Sequence, residues 1–142
     1  MPFTKKRGVA ESAVVVDTNV FVGAGFNPRS ASAKIVDAVR QGRVRMVWND
    51  ATRREIERIL HRIPPLRAHA VAELFRPEGR FTAPTHPERF ADIPDADDRK
   101  FAALANATGA TVISSDEHLL EYRGDLDLTV LSPVAYWRRR GR

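Results

Sequence analysis

Val14-Val15-Val16-Asp17-Thr18-Asn19-Val20-Phe21 is a β-branched run that stops abruptly in an acid, a hydroxyl and an amide. Three consecutive valines without alternation predict a strand buried on both faces, as in the parallel sheet of an α/β domain. Asp17 then stands at the carboxyl end of that strand. Open α/β sheets bind ligands outside the carboxyl ends of their strands, so this acid is a candidate for chemistry. Asp17 and Thr18 equally suit the cap of a turn or helix, and the stretch alone does not choose between the two roles.

Working outward, residues 23–32 read as a flexible loop, with Gly23, Gly25, Asn27, Pro28 and Ser30. A helix is predicted over 31–41, its apolar face carried by Ile35, Val36 and Val39 and its exit by Gly42. VRMVW (44–48) alternates as a second strand, and Asn49 or Asp50 caps a helix to about Arg62 with Ile56, Ile59, Leu60 and Ile63 inward. Pro64-Pro65 ends it. Residues 66–76 suggest a further helix through Ala70, Val71, Leu74 and Phe75. Residues 77–94 are rich in Pro, Gly and Thr, with one short strand near 80–83. A helix over 95–108 carries Phe101, Leu104, Ala105 and Thr108 at helical spacing and leaves at Gly109. ATVIS (110–114) predicts a third buried strand, followed by a short helix through Leu119, Leu120 and Tyr122. A last strand over 126–131 and a helix from Pro133 close the pattern. Strands alternating with helices imply right-handed βαβ units and a mostly parallel sheet.

The chain has 142 residues, 43% apolar and 29% charged, a size that predicts one domain with one core. The core is expected over about 13–137, flanked by basic tails that include Lys5, Lys6 and Arg7 at one end and Arg138 to Arg142 at the other. No apolar run approaches 18 residues, and the amino-terminal stretch lacks the apolar segment of a secretory signal. With no cysteine there are no disulfides and no thiolate metal sites, which fits a reducing, cytoplasmic setting. The net charge of +5, dominated by arginine, suits a polyanionic substrate or an acidic partner.

Two strands end alike, in Asp17-Thr18 and in Ser115-Asp116, and two helices carry an acid near their starts, Glu55 and Asp98. Glu55 precedes Ile56 and Ile59 and flanks the buried stripe, while Asp98 lies three residues before Phe101. Helices that return antiparallel to the strands place helix starts and strand ends on one rim, so all four acids belong together. Crowded carboxylates raise one another's pKa, and a hard divalent cation, Mg²⁺ or Mn²⁺, relieves the repulsion through oxygen ligands. Phosphodiester hydrolysis uses such a site, since metal ions activate the attacking water and neutralise charge at phosphorus. It needs no nucleophilic side chain, and neither a G-x-S-x-G elbow nor a Walker loop is present.

The blocks VVVDTNVFV (14–22), TRREIERIL (52–60), PDADDRKFAALANATGATVISSD (94–116) and LSPVAYW (131–137) resemble, in this order, the PIN-domain ribonucleases. The similarity is to the branch that includes toxins of type II toxin-antitoxin systems, the VapC-type proteins. It implies a three-layer α/β/α fold and a metal-dependent endoribonuclease whose catalytic, metal-holding quartet falls on Asp17, Glu55, Asp98 and Asp116. Thr18 and Ser115 match hydroxyl positions that assist metal or substrate, and Asn19 a position that orders the rim. The resemblance also implies an RNA substrate, a homodimer and a cognate antitoxin that blocks the acidic site.

His118 stands where many relatives have a further acid. Asp97 competes with Asp98 as third ligand; spacing to Phe101 favours Asp98, with Asp95 as N-cap. Glu55 could also pair with Arg58 or Arg62 along its helix, and Asp116 could cap the helix after it. His61, His69 and His86 lack ligand spacing, and Trp48 and Trp137 read as core or interface aromatics. Arg29 and the terminal arginines are candidates for RNA phosphate contact. The competing reading is a catalytically silent scaffold of the same fold that binds RNA or regulates.

Overall fold

The valine run forms the strand it predicts. In the computed structural model, which describes residues 13–67, 71–122, 124 and 126–141, β1 (Ala13–Val16) is buried along its whole length. Asp17 follows directly and caps α1 (Thr18–Phe26). The basic amino-terminal residues, His69, Ala70 and Arg142 lie outside the described residues.

The chain continues through α2 (Ala31–Arg40), β2 (Arg45–Met46), α3 (Asp50–His61), α4 (Ala96–Thr108), β3 (Thr111–Ile113), α5 (Glu117–Leu120), β4 (Val130–Leu131) and α6 (Pro133–Arg140). The strands pair in the order β2-β1-β3-β4, every neighbour parallel. From β1 the chain first builds outward to β2 and then returns past β1 to β3 and β4. The reversal lies between β1 and β3, and a doubly wound sheet opens its ligand crevice at that switch point. Helices and sheet make the three-layer α/β/α arrangement. α2 packs on α1 and α6, while α4 packs on β1 and β3.

Local chemistry sets the starts of the helices. Asn49 and Thr52 exchange two hydrogen bonds in a capping box, Thr52 N–H donating to Asn49 Oδ1 at 2.9 Å and Asn49 N–H to Thr52 Oγ1 at 3.0 Å. Ser30, Asp95 and Ser132 cap α2, α4 and α6. α4 leaves through Gly109 at φ 79°, a left-handed exit that glycine adopts without a Cβ penalty.

Three stretches differ in kind from their expected form. Part of the 23–32 loop is helical: α1 runs on to Phe26, because Asp17 starts a helix at once and Val20 and Phe21 are buried. Gly25 serves that helix as a point of close approach, since a Cβ there would collide with Leu66. Over 66–76 no α-helix forms among the described residues. Short 3₁₀ turns at Pro64–Leu66 and Ala72–Leu74 replace it. Beyond them the Arg76 guanidinium donates to the Val39 and Arg40 carbonyls, each at 2.6 Å, and Leu74 and Phe75 are buried. Tertiary contacts have overridden helical spacing. Near 80–83 only an isolated parallel bridge from Trp48 to Arg80 exists, flanked by Trp48 N–H to Gly79 O at 3.0 Å and Phe81 N–H to Trp48 O at 2.8 Å. That segment covers the outer edge of the sheet beside β2.

Trp48 is a core aromatic, edge-on to Phe75 at 5.4 Å, with its indole N–H on the Arg76 carbonyl at 2.8 Å. Trp137 packs, partly buried, against the same core.

Candidate active site

At the carboxyl ends of β1 and β3 opens a cleft of ≈ 320 Å³, lined by Asp17, Thr18, Asn19, Glu55, Asp98 and Asp116, with Asp95 and Asp97 at its edge. All four acids expected on the rim line this one cleft. A smaller pocket of ≈ 190 Å³ between α1 and α2 is mostly apolar and lacks such a cluster.

Asp17 is buried and held from several directions. Its Oδ1 accepts from Thr18 N–H at 2.8 Å, and its Oδ2 accepts from the Ser114 hydroxyl at 2.6 Å and from Asn19 Nδ2 at 3.3 Å. Asn19 also receives Ser115 N–H on its Oδ1 at 3.2 Å, clipping the end of β1 to the end of β3. Burial pushes the Asp17 carboxyl above its ordinary pKa; the Ser114 and Thr18 hydrogen bonds oppose this, and Asp116 and Asp95 add to it. Asp116 caps α5, accepting from His118 N–H at 2.8 Å and Leu119 N–H at 3.3 Å. Capping and rim placement therefore coexist in Asp17 and Asp116, because a cap occupies only part of a carboxylate's acceptor capacity.

Asp98 is 8% exposed, and its Oδ2 has no hydrogen-bond partner. Burial first, then the charges of Asp17, Asp116 and Asp95, then a hydrogen bond to the Asp116 carboxyl push its pKa up to about 8. Asp97, its neighbour, is 57% exposed on its side chain and faces Arg58 and Lys100, each at 3.8 Å. Glu55 sits at the other side of the cleft. Arg58 Nη2 donates to both of its oxygens at 2.9 Å and Lys100 Nζ to Oε1 at 3.2 Å. Burial raises the Glu55 pKa, but the hydrogen bonds and charges of Arg58 and Lys100 together outweigh it and leave the carboxyl below its ordinary value.

The cleft thus has two electrostatic halves. Asp17, Asp98 and Asp116 repel one another, whereas Glu55 and Asp97 are balanced by Arg58 and Lys100. Among the described residues the buried side-chain polar atoms without a partner are Thr18 Oγ1 and Asp98 Oδ2, and both residues line this cleft. Orphaned oxygens among hard carboxylates match the donor chemistry of a divalent cation. As placed, no group of three or more His, Cys, Asp or Glu side chains among the described residues is arranged to hold a metal ion. In its chemistry the donor set fits such an ion.

A PIN domain family model matches residues 13–118, most of the chain and every cleft residue. The chain belongs to the PIN domain family. Such domains have a nuclease-type fold and are generally metal-dependent. No curated protein and no solved structure matches the chain.

In this PIN domain, Ser115 is exposed and contributes its backbone N–H to Asn19, while the hydroxyl on Asp17 belongs to Ser114. Sequence reasoning missed Ser114, because only the pairing of β1 with β3 separates it from Ser115. Val16 pairs with Ile113, and carrying that register one residue further sets Asp17 beside Ser114. Arg29 lies exposed in the turn between α1 and α2 and is not among the residues that line the cleft. His61, His86 and His118 are exposed, and Asp95 caps α4. Of the cationic partners, Arg58 was read as a possible mate of Glu55, and that pair forms, whereas Lys100 was missed. Both stand one helical turn after an acid on the same helix, Arg58 after Glu55 and Lys100 after Asp97, which is the spacing that brings side chains together.

Proposed function

We propose that this PIN domain is a metal-dependent endoribonuclease that hydrolyses RNA phosphodiester bonds. The observation that carries the reading is the partnerless Asp98 Oδ2 in a cleft of mutually repelling carboxylates. Asp17, Asp98 and Asp116 would hold the ion, Mg²⁺ or Mn²⁺, with Thr18 Oγ1 beside them. Bound there, the cation supplies activation of water and neutralisation of charge at the phosphorus and the leaving oxygen.

The chain's own groups prepare that site. Ser114 and Asn19 fix the Asp17 carboxylate in one orientation, so no rearrangement of it is needed when substrate arrives. Burial and the neighbouring charges of Asp17, Asp116 and Asp95 favour the protonated form of the Asp98 carboxyl in the metal-free cleft. The cleft is open, so a polymer can lie across it, unlike a closed pocket for a small metabolite.

The motif blocks further support a role as toxin of a toxin-antitoxin pair, acting as a homodimer and silenced by an antitoxin protein. The cysteine-free composition supports a cytoplasmic setting. The packing of α6 on α2 supports a single folded unit reaching from residue 13 into α6.

The test is cleavage of a structured and an unstructured RNA with Mn²⁺, with Mg²⁺ and with EDTA, beside Asp17→Asn. Metal-dependent cleavage that disappears in a folded Asp17→Asn variant is the expected result. RNA binding without cleavage by either protein sinks the nuclease reading in favour of the silent scaffold.

A further inference from the structure

The two halves of the cleft differ in how their oxygens are used, and the difference assigns Glu55 a role other than metal ligand. Asp98 Oδ2 has no partner. Glu55, by contrast, accepts two hydrogen bonds from Arg58 and one from Lys100. Its side chain is 8% exposed, that of Lys100 24%. Around it the charges form a closed square. Glu55 and Arg58 stand three residues apart on α3, Asp97 and Lys100 three apart on α4, and cross-helix pairs join Glu55 to Lys100 at 3.2 Å and Arg58 to Asp97 at 3.8 Å. Drawing Glu55 onto a cation would strip two positive groups of their main counter-ion inside a half-buried setting, which is costly. Leaving it in place keeps an ammonium and a guanidinium beside the acids of the metal half.

Resting on the nuclease reading above, we propose that Glu55 is a positioning residue that seats Lys100 beside the cleft, and that Lys100 takes a non-bridging oxygen of an RNA phosphate next to the metal. Lys100 bridges Glu55 and Asp97, both lining residues, and an ammonium on a flexible stem can turn from them to a phosphate as a compact point charge. Without Lys100, RNA entering the metal-free cleft would meet Asp17, Asp98 and Asp116 with Arg58, already held by Glu55, as the nearby positive charge. Arg58, held by both Glu55 oxygens, keeps Glu55 ionised and oriented while Lys100 changes partner.

The experiment uses the full chain in four forms, wild type, Lys100→Gln, Glu55→Gln and the double variant, with Lys100→Arg as the conservative control and thermal melts to show that each is folded. Mn²⁺ affinity is read by electron paramagnetic resonance, and the affinity of a fluorescent single-stranded RNA is read in EDTA across a salt series. In Lys100→Gln, RNA affinity should fall roughly ten-fold and the salt slope should become shallower by about 0.7, one phosphate contact on a single strand. Lys100→Arg should restore both. Glu55→Gln should keep Mn²⁺ affinity within about two-fold and weaken RNA binding, and the double variant should be no weaker than Lys100→Gln, as expected of residues acting as one unit. Loss of Mn²⁺ binding in Glu55→Gln overturns the proposal by making Glu55 a ligand. So does Lys100→Gln with unchanged RNA affinity and slope. A wild-type chain that binds neither Mn²⁺ nor RNA shows its defect before any substitution; it removes the nuclease reading and this inference with it.

Discussion

At the residue scale, Asp98 concentrates the chemistry of the cleft. Its folded-state pKa of about 8 lies far above the value near 3.9 of an unfolded aspartate. Between those values the folded chain holds a proton that the unfolded chain has released, so metal-free stability falls as pH rises through this window. Asp98→Asn removes the titration. In EDTA at pH 8 the variant should melt about 5 °C above wild type, and at pH 4 the two should coincide. An unchanged melting difference across that range, followed by circular dichroism, would show that Asp98 ionises like an exposed acid. The sequence alone led to Asp98 through its spacing to Phe101, a helical periodicity that also explains why Asp97 faces outward. It did not lead to Ser114, because Ser114 and Ser115 look alike until the register of β1 against β3 is known. Glu55 was legible as a rim residue, whereas its engagement by Lys100 depends on how α3 and α4 lie against each other, a relation that no single helix pattern contains.

At the element scale, the capped helices and the buried strands were the legible part. β1, β3, α2, α3 and α4 fall within a residue or two of their sequence boundaries, since caps, a proline pair and a glycine exit mark them chemically. The strands at 44–48 and 126–131 shrink to Arg45–Met46 and Val130–Leu131, because a parallel ladder extends only where a neighbour's backbone remains within reach. The segment 66–81 was illegible for another reason. Its turns are held by distant groups, such as Arg76 on the carboxyl end of α2, which override the helical spacing of Val71, Leu74 and Phe75. Gly79 illustrates the constraint. A Cβ at this position would overlap the Met46 carbonyl oxygen, so the segment lies against β2 only because a hydrogen stands there. Gly79→Ala should cost about 1–3 kcal/mol in urea unfolding by forcing the 79–81 edge away from β2. A change below 0.5 kcal/mol, the order of an ordinary surface substitution, would show that the edge adjusts freely.

At the scale of the whole molecule, the cleft depends on every layer. α3 and α4 deliver Glu55 and Asp98, the sheet delivers Asp17 and Asp116, and α6 closes the far side of α2. Unfolding should therefore be one cooperative event. Far-ultraviolet dichroism and the fluorescence of Trp48, beside β2, and Trp137, on α6, should report coincident transitions. Mn²⁺ at about 100 times its Kd should shift both together, by about 2.7 kcal/mol of added stability. Separate transitions, or a shift of one probe alone, would divide the chain into two units. Among the described residues no helix is long and apolar enough to cross a membrane.

The pairing of β1 with β3 bears on when activity can first exist. Asp17 and the Ser114 hydroxyl that orients it are 97 positions apart in the chain. During synthesis, Asp17 emerges from the ribosome long before β3 leaves the exit tunnel. Until then the first acid has neither its orienting hydroxyl nor Asp98 and Asp116 around it. On the nuclease reading proposed above, a chain still in synthesis holds only part of its cleft, and the order of translation itself delays the assembly of the site.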